Sequence, residues 1–214
     1  MYNRSEFSFN VRVFAERKGW AMKALHTAIE TMGKGIGNDI VKVDMFLNHR
    51  LDTALLFEMG KELGEYFKHD APDLVLTVEA SGIALALTAA HALQDIPVVF
   101  AKKGKTVVQS SEVAQSKVYS FTHKTENLIR VDKKYLPRGS RVLIVDDFLA
   151  DGQAVNGLMD LCRQTECEVI GVGIGIEKGF QPGGQALREK GVKLLSLAIV
   201  DQIEDGKITL RNDG

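Results

Sequence analysis

The sequence predicts an α/β fold, in which a mostly parallel twisted sheet is covered by helices on both faces. Apolar runs at 74–79, 141–147 and 168–178 have no polar face, which is typical of strands buried on both sides. These runs alternate with amphipathic stretches of about 10–15 residues, as in parallel sheets. A chain of 214 residues can bury the core of one such domain.

The sequence changes character at Met22, where a regular apolar pattern begins. Residues 1–21 are polar and aromatic without a steady period, and we interpret them as an appendage, non-native or disordered, before a single domain at 22–214. From Met22 the apolar residues follow a helical period until the glycines at 33, 35 and 37 end the helix. Met1 and Met22 are both possible starts of the native chain.

The elements of the first half follow in order. A helix is predicted over 52–69, with Asp52 as its N-terminal cap, and a short β-branched strand over 74–79. A small-residue turn then leads into a second helix, followed by a strand at 96–103. Residues 104 to about 138 lack a regular pattern and are expected to be less regular.

The second half repeats the alternation of strand and helix. Strands are predicted at 141–147, 168–178 and 192–200, and helices at 153–165 and 184–190. Ligands of such sheets bind beyond the carboxyl ends of the strands. The loops after Glu79, Ala101, Asp147 and Glu177 are therefore the candidate binding loops.

Composition points to a small-molecule partner. The net charge of -1 gives no basic surface for nucleic acid or an acidic membrane. Two cysteines are too few for a disulfide framework. No apolar run approaches the ~20 residues of a membrane span, and the N-terminus lacks a signal pattern, so a cytoplasmic location is expected.

Two adjacent carboxylates end the strand "VLIVDD". Asp146 and Asp147 repel each other and are costly to bury, which indicates a ligand rich in hydroxyls or a cation beside them. The small residues Ala150, Gly152 and Ala154 follow, and the next helix offers unpaired amides to an anion. The pattern predicts a sugar phosphate; the alternative is an ordinary turn with Asp151 as a helix cap.

Other loops carry weaker signals. "EASGI" (79–83) could bind a second anion, such as pyrophosphate, through its amides. Lys102, with its lysine neighbours, belongs to a solvated cluster or meets substrate phosphates. Lys178 could donate to a carbonyl of a bound ring, or be a surface lysine. Neither a P-loop nor a dinucleotide fingerprint is present, because Val99 and the run "GVGIG" break the required glycine patterns.

The stretch "VLIVDDFLADGQA" resembles the phosphoribosyl pyrophosphate motif of type I phosphoribosyltransferases. Further stretches, among them "VKVDMFLNHRLD", "VYSFTHKTE" and "GIEKGFQPG", resemble the bacterial xanthine-specific branch, so that the resemblance covers about 22–210. It implies that fold, with a small N-terminal hood and a flexible flap within 104–122. It also implies transfer of a phosphoribosyl group to xanthine with Mg²⁺ held mainly by substrate pyrophosphate and water, and a homodimer.

The resemblance also implies roles for individual residues. Asp146 and Asp147 would hold the ribose, and no protein metal ligand is expected. The sugar donor would be bound by Ala150, Asp151, Gly152, Gln153, Ala154, Ala80, Ser81, Gly82 and Lys102, and xanthine by Val41, Asn48 and Lys178. Asparagine is expected where Asp151 stands, and a carboxylate there would oppose phosphate binding unless it turned away.

Two alternatives of function stay open at this point. A hypoxanthine or guanine phosphoribosyltransferase would share the fold and the sugar site. A regulator that senses phosphoribosyl pyrophosphate and controls transcription would also share them, but it would be expected to carry a DNA-binding module or a basic face.

Overall fold

A computed structural model describes residues 22–104, 111–120 and 125–211 of the chain. The predicted appendage at 1–21 lies outside the described residues. Within them are five α-helices: α1 (Lys23–Met32), α2 (Thr53–Phe67), α3 (Gly82–Ala92), α4 (Gln153–Gln164) and α5 (Gly183–Glu189). Each coincides, within a few residues at either end, with a helix that the sequence predicts.

The strands of the described part are β1 (Lys34–Ile36), β2 (Ile40–Lys42), β3 (Leu74–Val78), β4 (Val98–Gly104), β5 (Val113–Ser120), β6 (Thr125–Asp132), β7 (Arg141–Leu149), β8 (Glu168–Lys178), β9 (Leu194–Glu204) and β10 (Lys207–Leu210). β1 and β2 form an antiparallel hairpin of their own. The other strands form one sheet in the order β10-β9-β8-β7-β3-β4-β6-β5.

The centre of the large sheet is parallel, as predicted. β9, β8, β7, β3 and β4 run in the same direction, and β3 is buried along its whole length. One apolar cluster joins α1, α2 and α3 to the sheet, and a second joins α4 and α5 to it. Helices therefore cover the sheet on both faces, and the carboxyl ends of β8, β7, β3 and β4 lie side by side.

The prediction of an irregular section from 104 to about 138 is wrong for most of the residues described there. β5 and β6 form a regular antiparallel hairpin that extends the sheet beyond β4. β5 ("VAQSKVYS") is the edge strand of the sheet, and β6 ("TENLIRVD") pairs with β4 only over residues 128–130. Both sequences carry polar residues, so their apolar signal is weak. The flap at 104–122 stays a prediction, since 105–110 and 121–122 lie outside the described residues.

The segment from α1 to α2 is held by a helix cap and by apolar packing. The side chain of Asp52 accepts a hydrogen bond from the backbone of Leu55 at 3.1 Å, which confirms the predicted cap of α2. α1 packs through Leu25, Ala28 and Ile29, the apolar face that the sequence predicts. Between β2 and α2, a short π-helical turn (Asp44–Asn48) buries Phe46 and Leu47 beside the same core.

None of the helices described is both long enough and apolar enough to cross a bilayer.

Candidate active site

The carboxylates of Asp146 and Asp147 lie near the carboxyl end of β7 and are each only 5% exposed. β7 sits between β3 and β8 in the sheet, so its C-terminal end is surrounded by the loops of its neighbours. The backbone N–H of Asp147 donates to Oδ1 of Asp146 at 3.1 Å. The structure therefore places both predicted carboxylates in one buried position at the edge where ligands of this fold class bind.

Burial makes both carboxyl groups hard to ionise. It raises the pKa of Asp146 well above its ordinary value, and the neighbouring charge of Asp147 raises it further. Burial also raises the pKa of Asp147, although the hydrogen bond from Ser81 acts in the opposite direction. Two buried, mutually repelling acids are stabilised by a ligand that donates hydroxyl hydrogens or carries positive charge.

The loop after β3 contacts this pair directly. The hydroxyl of Ser81 donates to Oδ1 of Asp147 at 2.9 Å. Gly82 lies against the Asp146 carboxylate so closely that a Cβ on Gly82 would overlap Oδ1 of Asp146 and the hydroxyl of Thr77. Ala80 is exposed beside them. The sequence-predicted residues Ala80, Ser81 and Gly82 thus lie next to the carboxylate pair, and only a glycine fits at position 82.

The carboxyl end of β4 and the loop after β3 are also linked near the pair. Glu79 accepts a hydrogen bond from the backbone N–H of Lys103 at 2.6 Å. The charge of Lys103 is near enough to lower the pKa of Asp146 against the effect of burial. Lys102, which the family resemblance implies for the sugar donor, is exposed on the same strand. Lys103, which the sequence offered only as a member of the lysine cluster around Lys102, is therefore a positive charge at the site.

The loop between β7 and α4 has the form of a phosphate cradle. Gly152 adopts a left-handed conformation, with φ of 84°, which lets the chain turn sharply into α4. Gln153 and Ala154 begin α4, where the first N–H groups of a helix have no carbonyl acceptor within the helix. A helix of this length also presents a positive dipole end to an anion at this point.

Asp151 does not turn away from this loop. Its Oδ1 accepts the backbone N–H of Gln153 at 3.1 Å, so the carboxylate occupies one amide at the start of α4. The cap residue of α4 is Gly152, so the contact of Asp151 is a local turn within the loop, and the capping role that the sequence left as an alternative is not the one observed. The loop keeps its remaining amides, but it carries a negative charge beside them.

Lys178 ends β8, close to the same edge of the sheet. Its ammonium donates to the backbone carbonyl of Asp39 in the β1–β2 hairpin at 2.7 Å. Burial lowers the pKa of Lys178, while the charges of Asp39 and Asp151 raise it. An ammonium has three N–H donors, of which Asp39 takes one. Lys178 therefore joins the hairpin to the sheet and stands near Asp151 at the phosphate loop.

The other two residues predicted to bind a base lie in the segment before α2. The side chain of Val41 is buried in the core beside α1 and α2, so a base could meet this residue only through its backbone. Asn48 is exposed at the end of the π-helical turn. The structure brings the hairpin to Lys178, but among the described residues no hydrogen bond joins Asn48 to the rest of the site.

Among the described residues, no cluster of three or more histidine, cysteine, aspartate or glutamate side chains could hold a metal ion. A divalent cation at this site would need most of its oxygen ligands from a substrate and from water, which is how Mg²⁺ is commonly bound to phosphates. The buried pair of acids fits such an arrangement, because nearby positive charge would favour their ionised forms.

Named proteins resemble this chain over most of its length. Residues 50–201 match the family model described as "Phosphoribosyl transferase domain". A xanthine phosphoribosyltransferase of Clostridioides difficile (strain 630) is 48% identical over 190 residues, which are 89% of this chain and 100% of that protein. A xanthine phosphoribosyltransferase of Lactococcus lactis subsp. lactis (strain IL1403) is 46% identical over 187 residues, 87% of this chain and 94% of that protein.

Solved structures share the fold at lower identity. An adenine phosphoribosyltransferase of Giardia lamblia, complexed with 9-deazaadenine, has a TM-score of 0.68 at 21% identity and covers 82% of this chain and 96% of its own. The adenine phosphoribosyltransferase of Rhodothermus marinus has a TM-score of 0.65 at 22% identity, with 83% and 98% covered. Val41 and Asn48 lie before the range that matches the family model.

Proposed function

This chain belongs to the phosphoribosyl transferase family, and on that premise we propose that it transfers the 5-phosphoribosyl group from phosphoribosyl pyrophosphate to xanthine. The products are xanthosine 5'-monophosphate and pyrophosphate, a reaction of purine salvage. The observation that carries the proposal is the buried pair of Asp146 and Asp147 beside the small-residue loops at 80–82 and 150–154. Relatives that match over most of the chain are named for this activity.

The carboxylates act on the ribose. Breaking the bond between C1 of the ribose and pyrophosphate builds positive charge on the sugar and negative charge on the leaving group. Asp146 and Asp147 accept hydrogen bonds from the ribose hydroxyls and stabilise the developing positive charge, since charge stabilisation of this kind is usually the largest catalytic contribution. Neither needs to take a proton in this step.

The loops bind the two phosphate ends of the sugar donor. The amides at 150–154 bind the 5'-phosphate at the start of α4, and Ala80, Ser81 and Gly82 face the pyrophosphate. Mg²⁺, when bound, supplies neutralisation of the pyrophosphate charge. Lys102 and Lys103, both exposed on β4, add positive charge on the side from which the pyrophosphate approaches.

Lys178 favours a base that carries a carbonyl. An amino group at the same ring position would meet the ammonium donor to donor, and a site that hydrogen-bonds a substrate group can reject an analogue lacking it by ~10⁴. Adenine is therefore a poor substrate under this proposal. Val41 and Asn48, from the hood formed by 34–48, complete the base site.

Several further parts of the proposal follow the family resemblance. We propose a homodimer, and the exposed apolar side chains of Phe57 (54% exposed) and Leu87 (61%) on the neighbouring helices α2 and α3 support a protein contact there. The division into 1–21 and a domain at 22–214, and the flap within 104–122, belong to the same proposal. The cytoplasmic location stays a prediction.

The test is a parallel assay of xanthine, guanine, hypoxanthine, adenine and orotate, each with phosphoribosyl pyrophosphate, with and without Mg²⁺. The proposal expects the highest kcat/KM for xanthine and little turnover without the metal ion. A higher kcat/KM for guanine or hypoxanthine would support phosphoribosyl transfer but contradict xanthine as the preferred base. Binding of the sugar donor without turnover of any base would instead favour the sensing regulator.

A further inference from the structure

Glu177 is a buried carboxylate that the proposed reaction does not use. It is 2% exposed and directly precedes Lys178 on β8. Its two oxygens accept two hydrogen bonds from the guanidinium of Arg188 in α5, each at 2.7 Å. Ser196 of β9 donates a further bond to Oε2. Glu177 thus links β8, α5 and β9. The two parallel hydrogen bonds from Arg188 fix the orientation of α5 relative to β8.

The charge of Glu177 is maintained despite its burial. Burial opposes ionisation, but the hydrogen bonds from Arg188 and Ser196 outweigh it and hold the pKa of Glu177 below its ordinary value. The ion pair is only partly buried, since the Glu177 side chain is 3% exposed and the Arg188 side chain 41%, and a pair of this kind adds little to stability by itself. Its directional geometry is what an apolar pair would not reproduce.

The start of α5 touches both Glu177 and the phosphate loop. Gly184 packs against the Glu177 carboxylate so closely that a Cβ would overlap Oε1. Gly183, the residue before it, donates its backbone N–H to the carbonyl of Ala150 at 3.1 Å. A Cβ on Gly183 would overlap the Ala150 carbonyl and the backbone nitrogen of Gly152. The first turn of α5 therefore lies directly between the buried carboxylate and the loop.

We propose that Glu177 and Arg188 are positioning residues for the phosphate loop. Their ion pair holds the start of α5 in place, and α5 supports the backbone of 150–152 in the curvature that presents its amides to the 5'-phosphate. Neither side chain touches the substrate. This inference rests on the proposed function, because the role of the loop as the phosphate site belongs to that proposal.

Two conservative variants test it. Glu177→Gln keeps the size and one acceptor but removes the charge, and Arg188→Lys keeps the charge but cannot form two parallel hydrogen bonds. Binding of ribose 5-phosphate is measured by calorimetry, and KM for phosphoribosyl pyrophosphate and for xanthine is measured separately. We expect Glu177→Gln to raise the Kd of ribose 5-phosphate and the KM of the sugar donor about 10-fold or more, because catalytic sites are sensitive to small displacements.

In the same variants the KM for xanthine is expected to change far less. The Kd of ribose 5-phosphate for Arg188→Lys is expected to lie between the values for wild type and Glu177→Gln. The matched control is Leu136→Ala. This buried residue precedes β7 at the opposite end from the site, and its loss should lower Tm while leaving the Kd of ribose 5-phosphate unchanged.

The outcomes separate the two proposals. Wild-type protein that fails to bind ribose 5-phosphate overturns the proposed function and this inference together. Wild-type protein that binds it, with both variants binding equally well whatever their Tm, overturns only the positioning role. A loss of affinity in the two variants beyond that of Leu136→Ala at a matched Tm supports it.

Discussion

The hydroxyl of Ser81 and Oδ1 of Asp147 lie 2.9 Å apart and form a hydrogen bond across 66 positions of the chain. This bond joins the loop after β3, proposed to face pyrophosphate, to the acid proposed to hold the ribose. The two halves of the sugar-donor site are thereby fixed relative to each other before a ligand binds. Preorganised groups of this kind contribute to catalysis because they need no rearrangement as charge develops.

Replacing Asp147 by asparagine should separate catalysis from stability. Asp147→Asn removes the charge that stabilises the ribose cation, and we expect kcat to fall by about 10²–10³, as for other preorganised electrostatic groups. The unfolding free energy should stay the same or rise, because burial disfavours the ionised acid and raises its pKa. Steady-state kinetics and denaturant unfolding measure the two effects. Asp160→Asn, in the second half of α4, is the control for kcat, and an unchanged kcat in Asp147→Asn contradicts the assigned role.

The raised pKa of Asp146 predicts how the stability of the ligand-free protein changes with pH. A pKa raised in the folded state means that the protonated form favours folding. That contribution is fully present below the ordinary value of 3.8 and is lost as pH rises through the raised pKa. Asp146→Asn abolishes this titration. The Tm of wild type minus the Tm of Asp146→Asn should therefore fall as pH rises from about 4. A difference that is constant with pH would refute the raised pKa.

Lys178 should matter more for the base than for the sugar donor. Lys178→Met keeps most of the aliphatic stem and removes the donors, so we expect the KM for xanthine to rise about 10- to 100-fold, the value of a charged hydrogen bond. Binding of phosphoribosyl pyrophosphate, measured by calorimetry, should change little. Lys190→Met, on an exposed lysine after α5, is the control. Equal losses for both ligands would show that Lys178 acts through the loop and not through the base.

The charge of Asp151 should weaken binding of the sugar donor. Asp151→Asn keeps an oxygen that can accept from Gln153 while removing the negative charge at the start of α4. We expect the KM for phosphoribosyl pyrophosphate to fall about 2- to 5-fold, from the energy of a charge at a helix terminus. Tm should be nearly unchanged. Asp151→Ala, which loses the acceptor as well, should lower Tm, and a higher KM in Asp151→Asn would count against this explanation.

Removing residues 1–21 should leave kcat and Tm close to those of the full chain. The reason is that α1 is anchored within the described domain: Leu25, Ala28 and Ile29 lie in the apolar core, and the backbone N–H of Met22 donates to the carbonyl of Leu197 at 3.1 Å. Thermal unfolding and steady-state kinetics of the two chains provide the comparison. A large loss of either quantity would show that the first 21 residues belong to the domain.

The sequence by itself determined the central sheet and the acidic pair. The strands β3, β7 and β8 are continuous apolar runs, and a run without a polar face has no stable position except inside a sheet covered on both sides. Asp146 and Asp147 stand out for the same physical reason, since adjacent charges after such a run are costly unless a ligand compensates them. Local pattern alone is sufficient for both inferences.

Only the tertiary structure decided the edges of the sheet and the partners of the site residues. The β5–β6 hairpin has a weak apolar signal because it forms the outer part of the sheet, with β5 at the edge, so the pairing of β6 with β4 depends on a neighbour that the sequence does not specify. The bond from Lys178 to Asp39 spans 139 positions. The pair of Glu177 and Arg188 exists because α5 folds back onto the phosphate loop. Contacts between distant segments arise from the packing of whole elements, and no local pattern of residues records them.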